Sequence, residues 1–239
     1  QKLDAQVNQT QTSHKDFLKN KKFEHHGKAL DSKNEGNDYH NTSPYRYIFG
    51  YKTLNSRMRW APIIKEIMSF KQEGEILDIG CAYGFLLKFL PNSFEKYGVD
   101  KSRIAVSSAR QTNPKAKFFL GDFVKTKFGK NSFDVITAFE ILEHVIDLKG
   151  TVKKVHDLLK KDGYFIASFP PVESPLQVKW FTLFDITHIN HSGKVLNEIK
   201  RKFNIILTKY SFDCFKFIII SKYRFFPVHH SYFIIARKK

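Results

Sequence analysis

The residues best suited to chemistry in this 239-residue chain are acids that each close a short apolar run. The first run, Ile76-Leu77-Asp78-Ile79-Gly80-Cys81-Ala82-Tyr83-Gly84, reads as a buried strand entering a glycine-bearing turn at the start of a helix. Gly80 and Gly84 let the backbone approach a ligand closely, and amides at the helix N-terminus can meet a negative group. The second run, Tyr97-Gly98-Val99-Asp100-Lys101, sets a carboxylate at a strand's C-terminal edge about 20 residues after Gly80, where nucleotide-binding α/β sheets hold a ribose diol. The third, Phe119-Leu120-Gly121-Asp122-Phe123, adds another acid and an aromatic ring. Asp122 can accept from an adenine amino group, and Phe123 can offer an apolar wall. Each acid alone reads equally well as a loop or cap residue; at the ends of three successive strands they read as one crevice.

A second set of residues could move a proton. His144 follows Phe133 to Phe139, and His188 and His191 lie in Phe184-Asp185-Ile186-Thr187-His188-Ile189-Asn190-His191. Histidine titrates near neutral pH, which suits a general base. Glu140, Glu143 and His144 form an ExxEH run, and with His188 or His191 they offer oxygen and nitrogen ligands for a divalent ion such as Mg²⁺. The plainer alternatives are loop histidines bonded to Asp185 and, for His144, a structural helix start.

Positioning these groups calls for an alternating β/α pattern. After Gly74, strands are expected at Glu75 to Ile79, Lys96 to Val99, Ala116 to Leu120, Phe133 to Phe139 and Tyr164 to Phe169. Helices are expected near Phe85 to Leu90, Arg103 to Gln111 and Leu148 to Lys160, the last stopped by Asp162-Gly163. A helix from Gly193 to Lys202 and two final strands, Asn204 to Tyr210 and Ser231 to Arg237, would close the sheet. This alternation marks a parallel sheet covered by helices.

On these motifs the chain resembles the class I S-adenosylmethionine-dependent methyltransferases, from about Gly74 to the C-terminus, and within them the small-molecule, ubiquinone-type and sugar-type enzymes. LDIGCAYG looks like their first motif, GVDKS their ribose-binding acid, GDF their adenine-contacting acid, FDVITAFEILEHV their fourth strand and following turn, and DGYFIASFP their fifth strand. The resemblance implies a Rossmann-like α/β fold: a seven-stranded sheet, mostly parallel with one antiparallel strand, and helices on both faces. It implies S-adenosylmethionine as cofactor and S-adenosylhomocysteine as product, with Asp78, Gly80, Cys81, Gly84, Asp100, Lys101, Asp122 and Phe123 around the donor. Phe139 and Glu140 are expected near the transferred methyl, and His188, His191 and His144 as catalytic candidates. The ExxEH run is similar to metal sites in certain quinone O-methyltransferases and small-RNA 2′-O-methyltransferases. Ala82 departs from the glycine often found there, a methyl the turn should tolerate. A dinucleotide dehydrogenase fits less well: its fingerprint is GxGxxG, whereas here only Gly80 and Gly84 are present.

Composition bounds the rest. Residues 1–44 read as a polar tail or arm, and 45–239 as one methyltransferase domain beginning with a helical cap over 45–73, in which Pro62 marks a helix start or kink. Two cysteines, Cys81 and Cys214, form no metal or disulfide framework, which fits a cytoplasmic protein, and no apolar stretch suits a transmembrane span. The net charge of +17 admits nucleic acid or an anionic membrane, and an RNA 2′-O-methyltransferase is the first alternative; a non-catalytic donor-binding module is the second. Lysine rather than arginine supplies that charge, so a small-molecule substrate is favoured over nucleic acid. The basic, aromatic stretch from Tyr210 to His230 reads as a core strand with an inserted loop, or as a surface for peripheral membrane contact or lipid-linked substrates. Tyr45, Tyr47, Tyr51, Arg57 and Trp60 are candidate caps of the substrate pocket.

Overall fold

The computed structural model describes residues 57–170, 192–214, 217–223 and 230–239. Apolar residues at helical spacing form α1 (Arg57–Phe70), with Ile63 and Ile67 turned to the core. This helix continues through Pro62, so the proline lies inside it rather than at its start. There follow β1 (Gly74–Ile79), α2 (Phe85–Phe89), β2 (Phe94–Asp100), α3 (Arg103–Thr112), β3 (Lys117–Leu120), β4 (Phe133–Phe139), a short 3₁₀ turn (Leu142–His144), α4 (Leu148–Leu158), β5 (Leu159–Phe169), α5 (Ser192–Lys202), β6 (Phe203–Cys214), β7 (Phe217–Ser221) and β8 (His230–Lys238).

Among the described residues the strands form one sheet in the order β3-β2-β1-β4-β5-β8-β6-β7. The first five pair in parallel, and β8 runs antiparallel to both β5 and β6. The central strands read as continuous apolar runs because both faces are covered. On one face Leu77, Ile79, Ile136 and Phe165 pack with Val152 and Val155 of α4 and Ile199 of α5. On the other, Ile76, Val135, Ile166 and Phe233 pack with Ile67 of α1, Leu87 of α2 and Val106 of α3.

Two features depart from the expected pattern. The sheet has an eighth strand, β7, which pairs antiparallel with an extended β6 and lies against α1, its Ile220 joining the core on that face. The stretch read as a core strand with an inserted loop thus supplies an edge strand. Asp162-Gly163 does not stop a helix: α4 ends at Leu158 and β5 begins at once. The register against β4 jumps from Phe133↔Leu159 to Val135↔Tyr164, and Asp162 takes φ +63°, so the pair turns a bulge within the strand.

Candidate functional site

The C-terminal tips of β3, β2, β1 and β4 lie side by side, so that Gly80, Asp100, Asp122 and Glu140 follow four adjacent strands. The chain leaves β3 at one edge and re-enters the sheet at β4 on the other side of β1, which makes this the topological switch point where open α/β sheets bind ligands.

The turn after β1 is built tightly. The amides of Gly80 and Cys81 both donate to the Val99 carbonyl, at 2.9 and 3.2 Å, and Gly84 N–H donates to Cys81 O at 2.8 Å. Gly80 and Gly84 both take φ +70°, which glycine adopts without strain. Gly84 has a second reason to be glycine, since a Cβ there would sit 2.8 Å from Phe118 Cζ. Ala82 is also left-handed, at φ +45°; its methyl is accommodated at a conformational cost of about 1 kcal/mol. The amides of Gly80, Cys81, Ala82 and Gly84 are thus engaged within the protein, and α2 is only five residues long. The turn's offer to a ligand is close approach rather than free amide dipoles.

Asp100 ties that turn to the next strand. One carboxylate oxygen accepts from Ala82 N–H and the other from Ser102 N–H, each at 2.8 Å. A carboxylate oxygen has two lone pairs, so each retains acceptor capacity for a diol. Gly121 N–H donates to Asp100 O at 2.9 Å, fixing the third tip against the second. Lys101 reaches across to Asp122, Nζ to Oδ2 at 2.8 Å, while Asp122 Oδ1 accepts from Val124 N–H at 2.8 Å. Burial pushes the Asp122 carboxyl upward, but Lys101 and the Val124 amide outweigh it and hold the group below its ordinary range. Phe123 turns inward: its side chain is buried in the core beside Phe128.

Asp78 is the least comfortable member. The register pairs it with Thr137 of β4, which places both side chains on the same face. Thr137 Oγ1 donates to Asp78 Oδ1 at 2.6 Å, and among the described residues no cation pairs with the carboxylate. Burial, opposed by the Thr137 bond and reinforced by the charge of Asp100, pushes its pKa up to about 7. Cys81 shares this environment: burial, then the charges of Asp78 and Asp100, raise its thiol well above the ordinary range. A buried carboxylate lacking a countercharge, beside a second carboxylate, suits a ligand that brings positive charge.

At the fourth tip Glu140 holds φ +51°, unusual for a side chain of its size. Glu140 N–H donates to Ser168 O at 3.0 Å, and Ser168 Oγ donates to Glu140 Oε1 at 2.6 Å. Strain maintained by such bonds is a feature of functional edges. Phe139 stacks on Phe233 with centroids 6.1 Å apart. Glu143 is buried, and His144 Nε2 lies 3.7 Å from its Oε1. Among the described residues no three His, Cys, Asp or Glu side chains are grouped to hold a metal ion. His188 and His191 lie outside the described residues, as do Tyr45, Tyr47 and Tyr51.

A family model described as a methyltransferase domain matches residues 54–205. The chain belongs to this family. It is 28% identical over 150 residues to the sterol 24-C-methyltransferase erg6 of Aspergillus fumigatus, an alignment covering 53% of this chain and 39% of that protein. It is 30% identical over 98 residues to the ubiquinone biosynthesis O-methyltransferase of Bradyrhizobium diazoefficiens, covering 39% and 38% respectively. The matched region therefore spans about two fifths of the length of these curated relatives. Two solved structures share the fold. The PH0226 protein of Pyrococcus horikoshii has a TM-score of 0.63 at 21% identity, over 82% of this chain and 98% of that one. A Thermotoga maritima SAM-dependent methyltransferase, described as a possible histamine N-methyltransferase, has a TM-score of 0.62 at 17% identity, over 84% and 100%.

One residue of the site left no trace in the sequence. Lys154 of α4 donates to the carbonyls of Phe123, Val124 and Thr126, at 2.5, 3.0 and 2.5 Å. It sits at an ordinary exposed-type letter within an amphipathic helix, and only the packing of α4 under the β3 loop reveals it.

Proposed function

We propose that this methyltransferase moves the methyl group of S-adenosylmethionine to a small-molecule acceptor by in-line displacement. The observation that supports this most directly is the alignment of Asp78, Asp100 and Asp122 at three adjacent strand tips around a left-handed glycine turn. In this reading Asp100 holds the ribose diol through its remaining lone pairs, and Asp122 accepts from the adenine amino group. Asp78, with its Thr137 bond, faces the donor's cationic amino-acid portion. Gly80, Cys81 and Gly84 shape the backbone that lies against the donor, and Lys101 and Phe123 hold the adenine side in place. Phe139 and Glu140 stand at the tip beside the transferred methyl. The donor supplies an electrophilic carbon on a sulfonium; an oxygen or nitrogen lone pair of the acceptor forms the new bond as the carbon–sulfur bond breaks. The acceptor's proton passes to water or to a base, for which His144, His188 and His191 are the candidates. Alignment of the two reactants accounts for most of the rate that the protein must supply.

Relatives named as a sterol 24-C-methyltransferase and a ubiquinone biosynthesis O-methyltransferase support a small-molecule acceptor, for which a sugar, a phenol or quinone and a lipid-linked intermediate are the candidates. Calorimetry with S-adenosylhomocysteine tests the donor site: Asp100→Ala is expected to bind at least about tenfold more weakly than wild type, and unchanged affinity refutes the assignment. A mass-spectrometric screen for acceptors that gain one methyl group tests the second half. Label recovered in RNA instead of the small-molecule fraction overturns the acceptor class.

A further inference from the structure

The loop that carries Asp122 is held by a residue of α4, distant from it in the chain. Lys154 lies in α4, about 30 residues further along the chain, and an exposed lysine there would ordinarily extend its ammonium into water. Instead its Nζ turns under the β3 loop and directs all three N–H donors to backbone carbonyls, those of Phe123, Val124 and Thr126. The same ammonium stands 4.8 Å from the Phe123 ring centroid and 5.7 Å from that of Phe128. Phe128 in turn packs edge-on against Phe119 of β3 and Phe133 of β4, at 5.1 and 5.8 Å. Lys154 is thus the centre of a knot joining the tip of β3, the loop beyond it and α4.

That knot bears on Asp122 through one further bond. Val124 gives its carbonyl to Lys154 and its amide to Asp122 Oδ1. Lys125 and Thr126 amides return to Asp122 O at 3.0 and 2.8 Å, and Thr126 Oγ1 donates to the same carbonyl at 2.8 Å. The orientation of the Asp122 carboxylate is therefore set by a turn whose outer carbonyls converge on a single ammonium. With no cation in their midst, three carbonyls so gathered would repel and the turn would open.

The structure assigns to Lys154 a positioning role: it holds the 122–126 turn so that Asp122 can select the adenine base of the donor. This rests on the reading of Asp122 as the adenine acceptor. Selection follows from hydrogen-bond polarity. Adenine presents an amino donor to the carboxylate, whereas hypoxanthine presents a carbonyl oxygen at the same place, acceptor against acceptor.

The test compares S-adenosylhomocysteine with its hypoxanthine analogue, S-inosylhomocysteine, by calorimetry on the full chain. Wild type is expected to prefer the adenine ligand by about tenfold or more. Lys154→Met, which keeps the buried stem but none of the donors, is expected to bring that preference to within about threefold. Lys154→Arg, which can still donate to the carbonyls, should retain most of it, and Lys153→Met, an exposed neighbour paired with Asp157, should retain all of it. A Lys154→Met protein that folds, loses stability and keeps the full adenine preference overturns the inference while leaving the Asp122 reading intact. A wild type that binds both ligands equally sinks the Asp122 reading itself. Should Lys154→Met fail to fold, Lys154→Gln is read in its place by the same ratio, and a preserved ratio there is equally fatal.

Discussion

Replacing Asp78 by Asn should make the protein less sensitive to rising pH while crippling its donor site. The carboxyl has an ordinary pKa of 3.8 and one of about 7 in the fold, because burial outweighs the single Thr137 hydrogen bond. A group protonated more readily in the folded than in the unfolded state contributes stability fully present below the unfolded value. That contribution is lost as pH rises through the folded one. The gap of about three units corresponds to roughly 4 kcal/mol between the acid and alkaline limits, of which about 3 kcal/mol falls between pH 4.5 and 8. Asn keeps an oxygen to accept from Thr137 but buries an amide in place of a charge, adding a pH-independent offset of about 1–3 kcal/mol.

The slope, not the offset, carries the prediction. Urea unfolding of wild type and Asp78→Asn at pH 4.5, 6 and 8 gives a difference curve in which other titrating groups cancel. It should rise by about 3 kcal/mol in favour of the variant. In parallel, affinity for S-adenosylhomocysteine should fall by about tenfold or more at pH 8, since the ligand's ammonium loses its countercharge. A flat difference curve, or one sloping the other way, would falsify the claim that Asp78 carries an uncompensated buried charge.

Four further outcomes follow from the same geometry. Ala82→Gly relieves a φ of +45° and should raise stability by about 0.5–1 kcal/mol in denaturant titration, with donor affinity unchanged. Gly84→Ala combines a φ of +70° with a Cβ 2.8 Å from Phe118 Cζ and should cost about 2–4 kcal/mol; a cost within 0.5 kcal/mol of zero contradicts the turn as drawn. In a Cys214→Ser background Cys81, buried and with its thiol pushed well above the ordinary range, should resist iodoacetamide at pH 8 until the protein unfolds. At the opposite edge, Lys160 bonds both Asp134 and Glu75, and the Asp134 carboxyl, despite burial, is held far below its usual range. That stability is present above the unfolded carboxylate value and is lost only as pH falls through the far lower folded one, so Lys160→Met should destabilise by about 1–3 kcal/mol at pH 7 and still by most of that at pH 3.

What could be read from the letters depended on whether a signal was local. Phe133-Asp134-Val135-Ile136-Thr137-Ala138-Phe139 matches β4 residue for residue, because a strand buried on both faces declares itself by a mostly apolar, β-branched run. Strand ends were less legible: β2 begins at Phe94 and β5 at Leu159, where charged residues on the rim break the run without ending the pairing. The bulge at Asp162-Gly163 carries the same letters as a helix stop, and only pairing with β4 distinguishes them. β7 was obscured because an edge strand needs only one partner, and its partner, β6, already looked complete at Tyr210. The acids at the strand tips were legible because tip, turn and acid are contiguous. Phe123's inward ring and Lys154's reach were not, since both depend on what α4 presents from across the loop.

The buried acid at the C-terminal edge of the sheet argues that this edge is the functional one. At the N-terminal edge of the parallel strands, the Asp134 carboxylate collects Lys71, Lys160 and the Glu75 amide. At the C-terminal edge Asp78 is a buried acid with one hydroxyl for company. A buried carboxylate kept without a countercharge among the described residues suits a ligand that brings one. A nucleoside sulfonium donor supplies, through its amino-acid ammonium, the missing charge for Asp78 and, through its ribose and adenine, the missing donors for Asp100 and Asp122. Its binding should therefore stabilise wild type more at pH 8 than at pH 5, measurable as the shift in unfolding midpoint with saturating S-adenosylhomocysteine. An equal shift at both values would mean that Asp78 does not face the ligand's charge.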